Sequence, residues 1–119
     1  MKRFFILIIG FLILVGCSSD SNDKSVTYME AKEKIINENA VLLDVRTEEE
    51  YNDEHIDGAL LLPVDNINED SVKDLIKDKN EVIIVYCRSG NRSSQALELL
   101  EDLGYTEVYD LGAMSNWEE

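Results

Sequence analysis

The sequence of 119 residues is poor in metal-ligating and rigid residues, with two cysteines, one histidine and one proline. One histidine together with one free cysteine cannot supply the four ligands of a structural zinc site. We therefore expect no metal and no other cofactor. The chain is long enough for one domain with a modest core.

Basic residues are also few, since 11 Lys and Arg stand against 25 Asp and Glu, and the formal net charge is −14. Removal of residues 1–16 would take away Lys2 and Arg3 and no acidic residue, which is two positive charges fewer and leaves −16. Such a charge argues against a nucleic-acid partner and against electrostatic binding to anionic lipid. A small anionic substrate stays compatible with it, because charges beyond a Debye length of ~8 Å are largely screened.

Apolar runs long enough to span a bilayer are absent too. Residues 4–15 are apolar but fall short of the ~20 residues that a spanning helix needs. They follow Lys2 and Arg3, and Gly16 is a small residue at a possible cleavage point. This pattern predicts a signal peptide over 1–16, with an uncleaved membrane anchor as the alternative.

The sequence Leu-Val-Gly-Cys at residues 14–17 resembles the bacterial lipobox. The resemblance implies that Cys17 becomes a lipidated N-terminus, with palmitate expected among its acyl chains. Residues 18–25 are rich in serine, aspartate and asparagine, so 17–25 are predicted to be a flexible tether. We expect the protein outside the cytoplasm, anchored by lipid to the bacterial cell membrane. Cys87 would then lack a disulfide partner, and a lone thiol in an oxidising compartment is a liability unless it has a use.

Residues 26–119 are predicted to form one domain, organised around the stretch 81–94. This stretch opens with a β-branched apolar run that indicates a strand buried on both faces. The run stops at Cys87, and a helical pattern starts at Ser93. Cys87 is therefore placed at the carboxyl end of a central strand, which is where open α/β sheets bind ligands.

The loop after Cys87 has the composition of an anion site. Gly90 and Asn91 tolerate positive φ, so the backbone can turn its N–H groups inward above a helix N-terminus. Such a loop would lower the pKa of the Cys87 thiol, and Arg88 and Arg92 add positive charge for a small oxyanion. The alternative is a buried structural cysteine with two solvated arginines.

Strands and helices alternate along the rest of the domain. The fold class is therefore predicted to be α/β, a central parallel β-sheet with helices on both faces. Capping boxes predict helices that begin after Thr27 and after Thr47. The remaining predictions are strands over 40–46, 60–62 and 107–110, a loop over 64–71, helices over 72–77 and 93–103, and a turn leading into a terminal helix over 111–117.

Four segments together resemble the rhodanese-like sulfurtransferase domain. They are the strand end Asp-Val-Arg at 44–46, the short helix at 47–51, the turn His-Ile-Asp-Gly-Ala at 55–59, and the loop Cys-Arg-Ser-Gly-Asn-Arg-Ser at 87–93. The loop is the most specific of the four. The resemblance implies a single-domain sulfurtransferase, and we expect a monomer.

The resemblance also implies a mechanism. The Cys87 thiolate would take the outer sulfur of thiosulfate or a similar donor as a persulfide, and cyanide or a thiol would accept it. Arg88 and Arg92 would bind the donor oxyanion, with surface charge or a salt bridge to a carboxylate as the alternative. The residues expected to bind substrate are Arg88, Ser89, Gly90, Asn91, Arg92 and Ser93.

Asp44 and Arg46 lie at a neighbouring strand end and are expected to support the loop. Asp44 would brace it by hydrogen bonds, or the two residues would form an ordinary buried ion pair behind the site. His55 is expected to be a structural turn residue, and Tyr51 and Trp117 to pack in the core or its rim.

Two other functions stay open from the sequence. A cysteine phosphatase or arsenate reductase uses a Cys-x5-Arg loop, but here only four residues separate Cys87 from Arg92, which would crowd a tetrahedral phosphate. The second alternative is a persulfide carrier or thiol redox sensor on the membrane surface, which would react once without turnover.

Overall fold

The structure is a computed structural model that describes residues 24–118. The predicted signal peptide, Cys17 and the tether up to residue 23 lie outside the described residues. No helix within 24–118 combines the length and the apolar character needed to cross a membrane.

Four parallel strands form one sheet. They are β1 (Val41–Asp44), β2 (Leu60–Leu61), β3 (Val82–Cys87) and β4 (Glu107–Ala113), in the spatial order β2-β1-β3-β4. β3 is the longest buried strand and lies between β1 and β4. The predicted central strand ending at Cys87 is therefore confirmed.

Residues 24–118 also form four α-helices. They are α1 (Tyr28–Glu38), α2 (Glu48–Asp53), α3 (Glu69–Leu75) and α4 (Asn91–Asp102). The predicted capping boxes are present, because the Thr27 and Thr47 hydroxyls each accept the backbone N–H of the glutamate three residues later. In each box that glutamate also accepts the backbone N–H of its threonine, so two N–H groups at the helix start are satisfied.

Apolar side chains are buried on both faces of the sheet. Alternate strand residues such as Leu43 and Val85 pack with Val72 of α3 and Leu100 of α4. The opposite face buries Leu42, Ile84 and Tyr86 against α1 through Ala31, which is fully buried. This alternation follows from the period of two along each strand, and it confirms helices on both faces.

Several element boundaries differ from the predicted ones. α4 begins at Asn91 rather than Ser93, because Gly90 adopts a left-handed φ of 99° as the N-cap and turns the chain into the helix early. α3 begins at Glu69 rather than residue 72, because Asn68 and Ser71 form a capping box of their own. The predicted loop over 64–71 also contains a short 3₁₀ turn, Val64–Asn66.

The last described segment of the chain differs most from the predicted secondary structure. β4 continues to Ala113, which pairs with Cys87, after a shift of register between Val85 and Tyr86. The predicted terminal helix over 111–117 is replaced in the described residues by a 3₁₀ turn, Met114–Asn116. The long-range pairing with β3 therefore overrides the local helical pattern.

A buried hydroxyl joins the sheet to the segment before β2. Tyr86 is fully buried, and its hydroxyl donates to Asp44 Oδ2 at 2.7 Å and accepts the backbone N–H of Ile56 at 3.1 Å. Ile56 is itself 4% exposed, so water has little access to that N–H. An unpaired polar group at such a site costs free energy because nothing replaces its hydration.

We predict that Tyr86→Phe lowers the free energy of unfolding by about 1–3 kcal/mol, because it leaves the Ile56 N–H without a partner. Chemical denaturation of both proteins measures the difference. The matched control is Tyr109→Phe, which removes a hydroxyl that donates to Glu107 in a half-buried position, and it should cost about 0.5 kcal/mol. Equal losses in the two variants would show that burial of the Tyr86 hydroxyl is unimportant.

Candidate active site

Cys87 occupies the carboxyl end of β3, where the chain turns into α4. It is a free thiol with no exposed surface, and it packs in the same apolar cluster as α3 and α4. Arg88 and Ser89 follow as exposed loop residues, and Gly90 closes the loop at the helix N-cap. The sheet edge and the helix start predicted from sequence therefore meet at this sulfur.

The loop directs backbone N–H groups at Cys87 Sγ. Gly90 N donates to the sulfur at 2.9 Å and Ser93 N at 3.3 Å. The left-handed φ of Gly90 makes this curl possible, since residues with a Cβ rarely adopt it. The buried Ser93 hydroxyl has a single hydrogen, which it can donate either to Gly90 O at 3.1 Å or to Cys87 Sγ. The inward turn of loop N–H groups predicted from the sequence is therefore present, and their binding of a substrate anion stays a prediction.

The surroundings of the sulfur act on its pKa in opposite directions. Burial raises the pKa of the Cys87 thiol, while hydrogen bonds from the Ser93 backbone and hydroxyl and from the Gly90 and Ser89 backbone lower it. The net result is a pKa below the ordinary thiol value. The thiolate, which is the nucleophilic form, is therefore more accessible at Cys87 than in an ordinary cysteine.

Both loop arginines are paired with one carboxylate, that of Glu50 on α2. Arg92 donates through Nη1 to Oε1 at 2.8 Å and through Nη2 to Oε2 at 3.1 Å, which is a bidentate pair. Arg88 donates through Nε to Oε2 at 3.2 Å. The salt-bridge alternative thus describes both arginines in this structure, and their binding of a donor oxyanion stays a prediction.

Glu50 is the site residue that the sequence analysis missed. In the sequence Glu50 is the glutamate of the capping box that starts at Thr47, and its carboxylate does accept the Thr47 N–H at 2.9 Å. The hydrogen bond from Arg92, followed by that from Thr47, holds the pKa of Glu50 far below its usual range. The sequence could have indicated that Glu50 lies near Cys87, because α2 starts just beyond β1, at the same sheet edge as Cys87.

Asp44 and Arg46 form the buried ion pair that was one of their two predicted roles. Arg46 donates to Asp44 through Nε at 3.0 Å and through Nη2 at 2.7 Å, and both side chains are almost fully buried. Arg46 Nη2 also donates to Glu54 O at 2.6 Å. Among the described contacts Asp44 bonds to Arg46 and to Tyr86, the residue before Cys87, so it supports the strand end rather than the loop.

His55 and Tyr51 form the turn contacts expected of them. His55 Nδ1 lies 2.7 Å from Tyr51 O, and the two rings stack with centroids 3.7 Å apart. The Tyr51 hydroxyl donates to Ala59 O at 2.6 Å. Trp117 is half-buried and meets the Tyr28 ring edge-to-face. These contacts give His55 a structural place away from the sulfur.

A cavity of about 280 Å³ opens beside the loop, between α2 and the end of β4. Its lining combines two arginines with three carboxylates, and the full set is Arg46, Glu50, Asp53, Glu54, Arg88, Met114 and Ser115. Within residues 24–118 no group of three or more His, Cys, Asp or Glu side chains is arranged to hold a metal ion.

We predict that Ser93→Ala raises the pKa of Cys87, because it removes one of the hydrogen bonds that favour the thiolate. The thiolate fraction, followed by ultraviolet absorbance across pH, should then rise at higher pH than in the wild type. Ser94→Ala is the matched control, since that hydroxyl donates to Asn91 O on the exposed side of α4. An unchanged titration in Ser93→Ala would assign the lowered pKa to backbone N–H groups alone.

Comparison with known proteins finds enzymes whose sequences are similar to this chain. The chain is 38% identical over 74 residues to the thiosulfate sulfurtransferase PspE of Escherichia coli, and the match covers 62% of this chain and 70% of PspE. It is 35% identical over 95 residues to the thiosulfate sulfurtransferase GlpE of Coxiella burnetii, with 79% and 86% covered.

Solved structures with a similar fold belong to the same kind of protein. The human single-domain sulfurtransferase TSTD1 superposes with a TM-score of 0.67 at 27% identity, covering 81% of this chain and 96% of that one. A rhodanese with anions from E. coli gives a TM-score of 0.61 at 35% identity, with 65% and 89% covered. Residues 27–119 match the family of the rhodanese-like domain. The chain belongs to this family and is a rhodanese-type sulfurtransferase.

Proposed function

We propose that this sulfurtransferase moves sulfane sulfur from thiosulfate or a similar donor to cyanide or a thiol, through a persulfide on Cys87. The observation that carries the proposal is the pair of backbone N–H groups, from Gly90 and Ser93, that donate to Cys87 Sγ. They favour a thiolate at the end of β3 without a neighbouring base. PspE and GlpE, which are thiosulfate sulfurtransferases by name, support thiosulfate as the donor.

The first half-reaction places a sulfur atom on Cys87. The Cys87 thiolate attacks the outer sulfur of thiosulfate, a new S–S bond forms, and the bond between the outer sulfur and the sulfonate sulfur breaks. Its electron pair leaves with sulfite, and Cys87 becomes a persulfide anion. The charge moves outward by one sulfur, so the loop N–H groups that stabilise the thiolate remain close to the anion.

The second half-reaction passes this sulfur atom to the acceptor. Cyanide or a thiolate attacks the outer sulfur of the persulfide, and the S–S bond breaks with its electron pair on Cys87 Sγ. The products are thiocyanate or a new persulfide together with the regenerated thiolate. Because one substrate leaves before the next reacts, the kinetics should be ping-pong.

We predict that Cys87→Ser abolishes thiosulfate:cyanide sulfurtransferase activity of the full chain in mild detergent, a loss of at least about 10³-fold, because a serine hydroxyl forms no persulfide. Thiocyanate production over many turnovers is the measurement. Cys17→Ser is the matched control, since it removes the other cysteine, and it should keep the wild-type rate.

The outcome also separates the alternatives. A wild type that accepts one sulfur on Cys87 and holds it in the presence of cyanide would be a persulfide carrier or redox sensor. Thiocyanate formed equally by wild type and Cys87→Ser would contradict catalysis through this sulfur.

We further propose that the protein is a lipoprotein anchored through Cys17 on the outer side of the bacterial cell membrane. The support is the sequence alone: a basic start, an apolar run over 4–15, and Leu-Val-Gly before Cys17. The first described helix begins at Tyr28, so only a short tether would separate the domain from the lipid. The sulfur donor and acceptor would then be met outside the cytoplasm.

We predict that Cys17→Ser, expressed in a bacterial host fed labelled palmitate, loses the label. The mass of the purified wild type should show diacylglycerol on Cys17 and no residues before it. Cys87→Ser serves as the control and should stay labelled. Label retained by Cys17→Ser would contradict lipidation at this residue.

A further inference from the structure

The two arginines beside Cys87 differ in how firmly Glu50 holds them. Arg92 makes a bidentate pair with Glu50 and is 31% exposed, whereas Arg88 makes one hydrogen bond and is 70% exposed. A pair as exposed as that of Arg88 is weak, because water screens it. An entering oxyanion can therefore draw Arg88 away from Glu50 more easily than Arg92.

Glu50 itself cannot easily move away from the site. Its Oε1 also accepts the Thr47 N–H at 2.9 Å and the Thr47 hydroxyl at 3.1 Å, contacts that cap α2. The carboxylate is only 18% exposed. A donor oxyanion that binds either guanidinium must therefore compete with a fixed carboxylate that stays in place.

The charges around the sulfur also balance before any donor arrives. In the reactive form, in which Cys87 is a thiolate, the positive charges of Arg88 and Arg92 are matched by that thiolate and by the carboxylate of Glu50. Arg46, which lines the cavity together with Arg88, is neutralised by Asp44. The lining of the cavity beside the loop adds the carboxylates of Asp53 and Glu54, so this cavity is negative overall.

We propose that Glu50 sets donor specificity: by occupying both arginines it weakens the use of dianionic donors such as thiosulfate relative to sulfane-sulfur donors that have one negative charge or none. The inference rests on the proposed sulfur transfer through Cys87, and it names the class of donor. A dianion adds two negative charges to a balanced site, while a monoanionic thiosulfonate adds one. Glu50 acts through Arg88 and Arg92, as a positioning residue.

The test compares two donors that differ by one charge. Thiosulfate is a dianion, and methanethiosulfonate is the monoanion in which a methyl group replaces one oxygen. Both pass their outer sulfur to a thiolate, releasing sulfite or methanesulfinate. Glu50→Gln removes the charge but keeps an amide oxygen that can cap α2, since glutamine also serves in capping boxes.

We predict that Glu50→Gln raises kcat/KM for thiosulfate relative to methanethiosulfonate by about three- to tenfold, mainly through a lower KM for thiosulfate. Full-length wild type and variant are assayed with cyanide as acceptor at constant ionic strength, and thermal melting verifies that both are folded. A merely structural role would slow both donors alike and leave their ratio unchanged.

The matched control is Asp53→Asn, which removes a carboxylate from the same cavity. Of the described contacts, none joins Asp53 to Arg88 or Arg92, so its effect on the donor ratio should be clearly smaller. An equal effect in both variants would overturn the role of the arginine pairing, and an unchanged ratio in Glu50→Gln would overturn the inference. A wild type that turns over neither donor would instead refute the proposed function, and the inference with it.

Discussion

A buried sulfur at the end of β3 can hold negative charge only because the loop that follows donates hydrogen bonds to it. Cys87 has no exposed surface, and burial alone would keep its thiol protonated. The N–H groups of Gly90 and Ser93 replace the lost water, and they can do so because Gly90 adopts a positive φ. The glycine, the helix start and the nucleophile are therefore one structural unit.

The register of the sheet brings the second part of the site to this unit. Asp44 pairs with Tyr86, so β1 and β3 end side by side, and the chain beyond β1 enters α2 next to Cys87. The capping box of α2 then fixes Glu50 where Arg92 and Arg88 can reach it. Glu50, which caps α2 locally, therefore also forms long-range ion pairs with the arginines of the active loop.

Local signals in the sequence explain what could be predicted and what could not. Strand β3, the caps after Thr27 and Thr47 and the nest at Cys87 depend on neighbours in the chain, and all were predicted. Two boundaries differed from the prediction. The extension of β4 to Ala113 depends on its pairing with Cys87, and the start of α4 at Asn91 depends on the conformation of Gly90. The partners of Arg88 and Arg92 lie about forty residues away in the chain, so no periodicity or spacing within the loop indicates them.

The ion pairs of the site serve two different purposes. The pair of Asp44 and Arg46 is buried, shared with Tyr86 and Glu54 O, and holds the strand ends together whether or not a substrate is bound. The pair of Arg88 and Glu50 is open to solvent and can exchange partners. Because the Arg88 side chain is 70% exposed and that of Arg46 only 4%, Arg88 is the one of the two that we propose can meet a donor.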